Sequence, residues 1–349
     1  MSGNNRSGIA IRRLALGGLL IMLSSVTVAA QTPDGSRTAV SITYRDTPRP
    51  EGLPADFVPG DKNAVRFMTL TAIDGNEVPA ALWTPKGTGP GQGTVVISVH
   101  GSGGDYSYNP VGPLSRGLSE NGFSVLAIKT RQSGPKVNTD NFFDDRRDIE
   151  AAVYTARSLG YRSIVLHGQS LGNIQVMFYA ASNWDSDIKA VVLTSAFGDL
   201  PWKSRTMLTQ DEENYAALAE LSFKAMREGK PAETLAQPML WLGGQKAATT
   251  AQHFLTYRWQ ASSTAVGTYW IKRIPKPILL LRDQSDAIIA DFEPYMLLAS
   301  AREPGTLVPS IDFKLLPNDR PRSAAAHGFA DNKQPLVDTV TAWLKSRNL

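Results

Sequence analysis

The sequence predicts an α/β protein: a mostly parallel central sheet flanked by helices, with a helical cap inserted into it. Three observations lead there. Short β-branched runs alternate with helix-length segments from about residue 95 to the C-terminus, which is the rhythm of a sheet covered on both faces. The run at 95–99, Val-Val-Ile-Ser-Val, is apolar in the way of a strand buried on both sides. The interval between 193 and 278 is too long for a plain connection in a compact domain.

Taken in order, residues 1–30 read as an export signal. Arg6, Arg12 and Arg13 supply a positive start, residues 14–28 are uncharged and mostly apolar, and Ala29-Ala30 offers a cut ahead of Gln31. The alternative is a retained membrane anchor. The apolar run is short for a span and ends on a cleavage-like site, so no stable membrane insertion is expected once the signal is gone. The expected location is the periplasm or the outside medium. Residues 31–63, rich in Pro, Asp and Gly, read as an N-terminal arm with little core of its own.

The main domain is expected over 64–349. Strands at 65–72 and 78–84 form a hairpin through the turn Asp74-Gly75-Asn76. Strands follow at 95–99, 123–128, 163–166, 190–193, 278–281 and 311–316. Helices are expected at 144–159 and 171–181, and a closing helix at 335–346. The insertion, about 200–275, contains one helical pattern at 212–227 and a second candidate at 251–259. It forms the cap.

Composition removes several function classes. A chain of 349 residues suits one large domain with an insertion. It contains no cysteine, which rules out disulfides, thiolate metal sites, a Cys nucleophile and a lipid-modified N-terminal Cys. The first 30 residues hold three Arg and no acid, so removing them lowers the formal net charge from +4 to +1. No basic run with interleaved aromatics exists, and nucleic acid is not an expected partner.

The chemistry centres on Gly168-Gln169-Ser170-Leu171-Gly172, between an apolar strand and a helix. A serine on such a tight turn stands clear of the backbone, and the small residues two before and two after it prevent collision. Alone the pattern is common by chance; in this setting it marks Ser170 as the nucleophile. His100-Gly101-Ser102-Gly103-Gly104 follows the strand at 95–99. Such a loop can aim backbone N–H groups at a developing oxyanion. The expected donors are Leu171 and Ser102, with Gly103 the less favoured alternative to Ser102. Losing one donor of this kind costs roughly 3–4 kcal/mol of transition-state stabilisation. No Lys-Ser/Thr follows these glycines, which argues against a nucleotide loop.

A serine needs a base within hydrogen-bond reach. Of the four histidines, His100, His167, His253 and His327, the last sits in a loop after the final strand, where it can reach back over the strand ends. The base needs a carboxylate to hold its tautomer. Asp286, a few residues past the strand at 278–281, is preferred to Asp283, which is nearer the strand end and open to an ordinary turn role.

Together these residues resemble the α/β-hydrolase superfamily from about residue 65 onward. The order Ser170, Asp286, His327 is that family's order of nucleophile, acid and base. Gln169 and Asn173 depart from the His and Gly that many members carry, and Asp283 occupies a place often filled by Gly. The resemblance implies a serine hydrolase, esterase- or lipase-like, acting on a small-molecule acyl substrate with no metal or organic cofactor. A peptidase, an amidase or a lactone hydrolase would use the same groups, and an acyltransferase or lyase would keep the triad and change the pocket or acceptor. A binding protein on this fold would usually have lost a triad member.

Two further groups stay open. Trp202, Trp241, Trp259 and Trp270 fall within the insertion, where they either line an acyl pocket or pack the cap onto the core. Asp144, Asp145, Arg146 and Arg147 open a helix, either as substrate contacts or, the favoured reading, as structural partners of the helix dipole.

Overall fold

Among the described residues nine strands make one sheet, which runs from edge to edge as Ile311–Leu316, Ile278–Asp283, Ile188–Thr194, Ser163–Gln169, Thr94–Val99, Ser124–Ile128, Glu77–Pro85, Asn63–Thr71 and Thr43–Asp46. The structure is a computed structural model, and it describes residues 29–31, 37–39, 41–209, 211–240 and 245–349. The expected export signal lies outside the described residues except for its last two positions. Within the unit Met1–Ala39, strands Ala29–Gln31 and Arg37–Ala39 pair antiparallel. Everything else belongs to the unit Val40–Leu349.

That unit begins with β1 (Thr43–Asp46), β2 (Asn63–Thr71) and β3 (Glu77–Pro85), an antiparallel edge. The β2–β3 turn falls at the predicted residues, with Gly75 at a φ of 81° that glycine adopts without strain. Then come β4 (Thr94–Val99), α1 (Val111–Glu120), β5 (Ser124–Ile128), α2 (Asp145–Ser158), β6 (Ser163–Gln169), α3 (Leu171–Ser182) and β7 (Ile188–Thr194). After the insertion follow β8 (Ile278–Asp283), α5 (Glu293–Ala301), β9 (Ile311–Leu316) and α6 (Lys333–Lys345). The insertion's principal helix is α4 (Glu212–Arg227), at the predicted place. The second candidate helix there resolves into a short helix, Ala251–His253, and a π-helical turn, Phe254–Arg258.

β4 through β9 are mutually parallel where they pair, while β3 joins β5 antiparallel. A parallel sheet needs cover on both faces. In β4, Val95, Ile97 and Val99 face the core that includes Ile149 of α2, Ile174 of α3 and Leu297 of α5. Val96 faces the opposite core, with Leu114 of α1 and Leu336 and Val340 of α6. The cap packs its own small core from Tyr215, Leu218, Leu235, Met239 and Phe254. No helix among the described residues is long and apolar enough to cross a membrane.

Besides α5, which the sequence did not lead us to expect, three features depart from the sequence reading. The arm contributes more than expected: β1 extends the sheet edge, and Phe57 is buried against Trp83, with ring centroids 5.1 Å apart. A lone Phe among Pro and Gly carries no periodicity that would reveal this. Helix α1, absent from the sequence reading, opens directly after Pro110 and carries Gly112 and Pro113 in its first turn, residues that disguise a helical pattern. β6 runs three residues past its predicted end, because Gly168 and Gln169 still pair with Leu193 and Thr194 of β7.

The topology singles out one place. From β4 the chain crosses to β5 on one side, and from β6 it crosses to β7 on the other. Adjacent parallel strands whose connections diverge leave a crevice at their carboxyl ends, where open α/β sheets bind ligands. The loops leaving β4 and β6 are those of His100 and Ser170.

Candidate active site

Ser170 adopts φ 51° and ψ −118°, a left-handed conformation that is rare for a residue with a side chain. The strand-to-helix turn imposes it. Ser170 N–H donates to Thr194 O at 3.1 Å, and Asn173 Nδ2 bridges the carbonyls of Ser170 (3.0 Å) and Thr194 (2.8 Å). The flanking glycines are required by space. A Cβ on Gly168 would stand 2.7 Å from Asn173 Cα, and one on Gly172 would stand 2.6 Å from the carbonyl oxygens of Val99 and His100. Gly101 is as confined, since a Cβ there would meet Ser170 Cβ at 2.9 Å.

His100 organises the neighbouring loop. Its Nε2 accepts from Thr130 N–H at 3.0 Å, so the proton sits on Nδ1, which donates to Gly101 O at 2.6 Å. Burial lowers its pKa to about 4, which keeps it neutral. Gly103 N–H donates to Gln132 O at 2.9 Å and is therefore committed to the loop. The Ser102 N–H has no backbone partner of this kind among the described residues. His167, buried beneath the turn, lies between Ser98 Oγ (2.6 Å) and Thr194 Oγ1 (3.0 Å). His253 lies beside Asp140 and stacks on Tyr257 inside the cap.

His327 ends the short helix Ala324–His327. Its Nδ1 lies 2.9 Å from Asp286 Oδ2, and Ser195 Oγ donates to its backbone carbonyl at 2.8 Å. Asp286 is fully buried, and its Oδ1 accepts from the N–H groups of Ile288 (2.7 Å) and Ile289 (3.1 Å). Burial opposes its ionisation, but the bond and charge of His327 and these two N–H groups outweigh it, and its pKa is lowered. Asp283 is engaged elsewhere, accepting from Asn318, Asn332 and the Ser285 N–H. The acid loop is stitched to the histidine loop by Ser323 N–H to Ser285 O and Ala287 N–H to Ser323 O.

Ser170, Leu171, Ser102 and His327 line one cavity of about 530 Å³. Its wall also carries the apolar Phe197, Leu200, Leu208 and Ile288, with Lys203 and Arg258 among them. All five predicted site residues thus gather at one place, Asp286 through its bond to His327. Among the described residues no three His, Asp or Glu side chains cluster so as to hold a metal ion.

A sequence profile of the alpha/beta hydrolase fold matches residues 94–300, more than half of the chain. The chain belongs to the alpha/beta hydrolase fold family. It is 24% identical over 234 residues to the uncharacterized protein YfhR of Escherichia coli K12, covering 66% of this chain and 76% of that one. Est1E from Butyrivibrio proteoclasticus, solved with ferulic acid bound, superposes with a TM-score of 0.59 at 20% identity, covering 78% of this chain and 96% of that one. A highly thermostable carboxyl esterase from Bacillus coagulans, solved with glycerol, gives 0.57 at 16% identity over 81% of this chain and 98% of that one. At these identities the likeness concerns the fold.

In this alpha/beta hydrolase several residues around the site carried no pattern in the sequence. Ser195, at φ 50°, anchors the His327 backbone. Arg282 and Arg322 both donate to the carbonyls of Asp286 and Ile289, holding the acid loop from two sides. Lys203 reaches from the insertion to Glu293 Oε2 (2.5 Å) and Ile288 O (2.9 Å). The three described cap tryptophans take the packing role. Trp202, Trp259 and Trp270 meet Phe292, Tyr215 and Phe178 and are absent from the cavity lining, while Trp241 lies outside the described residues. Asp145 departs from the expected role at a helix start. It is fully buried and accepts from Gln175 Nε2 and from Tyr257 OH, tying α2 to the cap.

Proposed function

We propose that this protein is a serine hydrolase that cleaves a carboxylic ester of a small-molecule substrate by two-step acyl transfer. The observation that carries the reading is the 2.9 Å contact of His327 Nδ1 with a buried Asp286 carboxylate, on a histidine that shares its cavity with Ser170. An ionised carboxylate accepts, so Nδ1 keeps its proton and Nε2 is left as the base.

His327 Nε2 takes the Ser170 proton as Oγ attacks the acyl carbonyl, and Asp286 stabilises the imidazolium that forms. The N–H groups of Leu171 and Ser102 receive the oxyanion. His327 then protonates the leaving alcohol, water enters, and the same sequence releases the acid and restores Ser170. Neither step needs a metal or an organic cofactor. Structural neighbours named as esterases support an ester as the substrate here, although a peptidase, amidase or lactone hydrolase would use the same groups. The N-terminal 30 residues support export to the periplasm or beyond, as a soluble enzyme freed of its signal.

A fluorophosphonate probe tests the assignment. The wild type is expected to label, and Ser170→Ala and His327→Ala to lose labelling; undiminished labelling of Ser170→Ala would remove Ser170 from the role. Ester and amide substrates with the same acyl group then separate the esterase from the amidase.

A further inference from the structure

We propose that the outer strand β9 pairs antiparallel with β9 of a second copy of this chain, about a two-fold axis at Phe313, so that one sheet runs through both copies. The inference concerns association and stands apart from the chemistry at Ser170.

The two edges of the sheet differ. β1 is short, Thr43-Tyr44-Arg45-Asp46, and its charged side chains are tied back, Arg45 to Glu77 at 2.8 Å and Asp46 to Arg66 at 2.5 Å. β9, Ile311-Asp312-Phe313-Lys314-Leu315-Leu316, keeps an unbroken register with β8 along its whole length and has no proline inside it. Natural edges are blunted by brevity, charge, proline or a bulge, because their open backbone groups pair with any strand they meet. β9 uses charge alone, one acid and one base.

Its pairing with β8 settles which backbone groups are open. Ser310 O accepts from Ile278 N–H at 2.9 Å and Leu316 O from Gln284 N–H at 3.0 Å, so the even-numbered residues turn their backbone groups inward. In a parallel ladder the direction alternates, and the N–H and C=O of Ile311, Phe313 and Leu315 point out of the sheet edge. Among the described residues these groups have no hydrogen-bond partner. The side chains of Ile311 and Phe313 lie on the face covered by α5, where the Tyr295 and Phe313 ring centroids are 5.6 Å apart. Tyr295 is 58% exposed and Leu315 43%, so apolar surface reaches the edge on this face. On the other face Asp312 accepts from Trp343 and Arg347 of the C-terminal segment, and Lys314 is exposed.

These constraints leave one register. Antiparallel strands exchange bonds only where open residues face each other, so the two-fold axis passes through a residue and not between two. An axis through Asp312 would set two aspartates directly opposite, and one through Lys314 two lysines; like charges so placed destabilise the pair. Axes through Ile311 or Leu315 bring Pro309 or Pro317, which lack an N–H, against Phe313. An axis through Phe313 makes Phe313 against Phe313 and Ile311 against Leu315 hydrogen-bonded pairs. It also sets Asp312 against Lys314 in the closer, non-hydrogen-bonded position, where opposite charges attract. The exposed Leu315 is then covered by Ile311 of the second copy. Such a contact is self-complementary and closes at two copies.

Sedimentation equilibrium of the purified full chain tests the proposal. Wild type is expected to dimerise with a Kd of about 10 µM or tighter. Leu315→Pro removes an outward donor and no bond to β8, and should weaken association at least tenfold with little change in far-UV circular dichroism. Lys314→Asp and Asp312→Lys each put like charges opposite, and each should weaken self-association at least tenfold. An equimolar mixture of these two variants should associate about as tightly as wild type, because an acidic strand then faces a basic one. Damage to the fold would not produce that recovery. A wild type still monomeric at about 100 µM overturns the proposal. So does a dimer that all three substitutions leave unchanged, or a mixture that associates no better than either variant alone.

Discussion

His327 Nδ1 meets Asp286 Oδ2 at 2.9 Å, while Asp283, three residues earlier at the end of β8, is surrounded by Asn318 and Asn332. The two carboxylates differ in what they hold. Asp286 orients an imidazole, whereas Asp283 ties the end of β8 to the segments carrying Asn318 and Asn332.

The two aspartates should therefore separate cleanly on mutation. Asp286→Asn removes the acceptor that sets the tautomer and is expected to lower kcat by about 10³- to 10⁴-fold with little change in stability. Asp283→Asn should lose about 1–3 kcal/mol of stability and keep activity within tenfold below its unfolding temperature. Steady-state kinetics and thermal melts on both variants check this, and the reverse pattern would transfer the acid role to Asp283.

Gly172 stands where α3 leaves the elbow, and a methyl group there would press on the carbonyls of Val99 and His100 at 2.6 Å. Backbone cannot yield as a flexible side chain can. Gly172→Ala is expected to cost about 3 kcal/mol and to displace Ser170 from the loop after β4. Melting temperature and fluorophosphonate labelling should fall together; a stable, fully labelled variant would contradict the geometry.

The Lys203–Glu293 pair joins the insertion to the element that follows the acid loop, and both side chains are almost entirely buried. Removing one partner strands a buried charge, so Lys203→Met is expected to cost about 3–5 kcal/mol. The double variant Lys203→Met with Glu293→Gln should recover much of that loss. Denaturant titration of the single and double variants measures the coupling, and simple additivity would show that the pair acts as two independent residues.

Acid should weaken the fold through its buried histidines. Burial lowers His100 and His253 to about 4 and His167 to about 3. An unfolded chain binds their protons near 6.5, so stability is fully present above that pH and declines as pH falls towards 4. Each histidine contributes on the order of a few kcal/mol to that decline. Asp145 acts in the opposite direction, because burial and the neighbouring carboxylates of Asp140 and Asp148 raise its pKa. Burial raises Asp144, Asp148 and Asp199 in the same sense as Asp145, and the three histidines are expected to outweigh these carboxyls. The melting temperature is expected to drop between pH 6.5 and 4.5, and a flat profile would show that these histidines take up protons without unfolding.

The sequence by itself determined the alternating strands and helices, the place of the cap, the elbow at Ser170 and the loop from His100. These are local properties. A both-faces-buried strand needs an apolar run, and a serine on a strained turn needs small residues beside it; both requirements are written in consecutive positions. The same reasoning found His327 because few histidines exist and one stands after the last strand.

Only the tertiary structure placed Asp286, and not Asp283, against His327, since the two are three residues apart and the pairing depends on where His327 arrives from another loop. It also decided that Phe57 packs on the main sheet and that β1 extends it, that Trp202, Trp259 and Trp270 pack, and that Lys203 and Arg258 line the cavity. Such relations join residues from about 25 to about 90 positions apart, through burial and hydrogen bonds that leave no periodicity. Local patterning chose the scaffold and the turn that carries Ser170, and the convergence of distant loops chose the side chains that share its cavity.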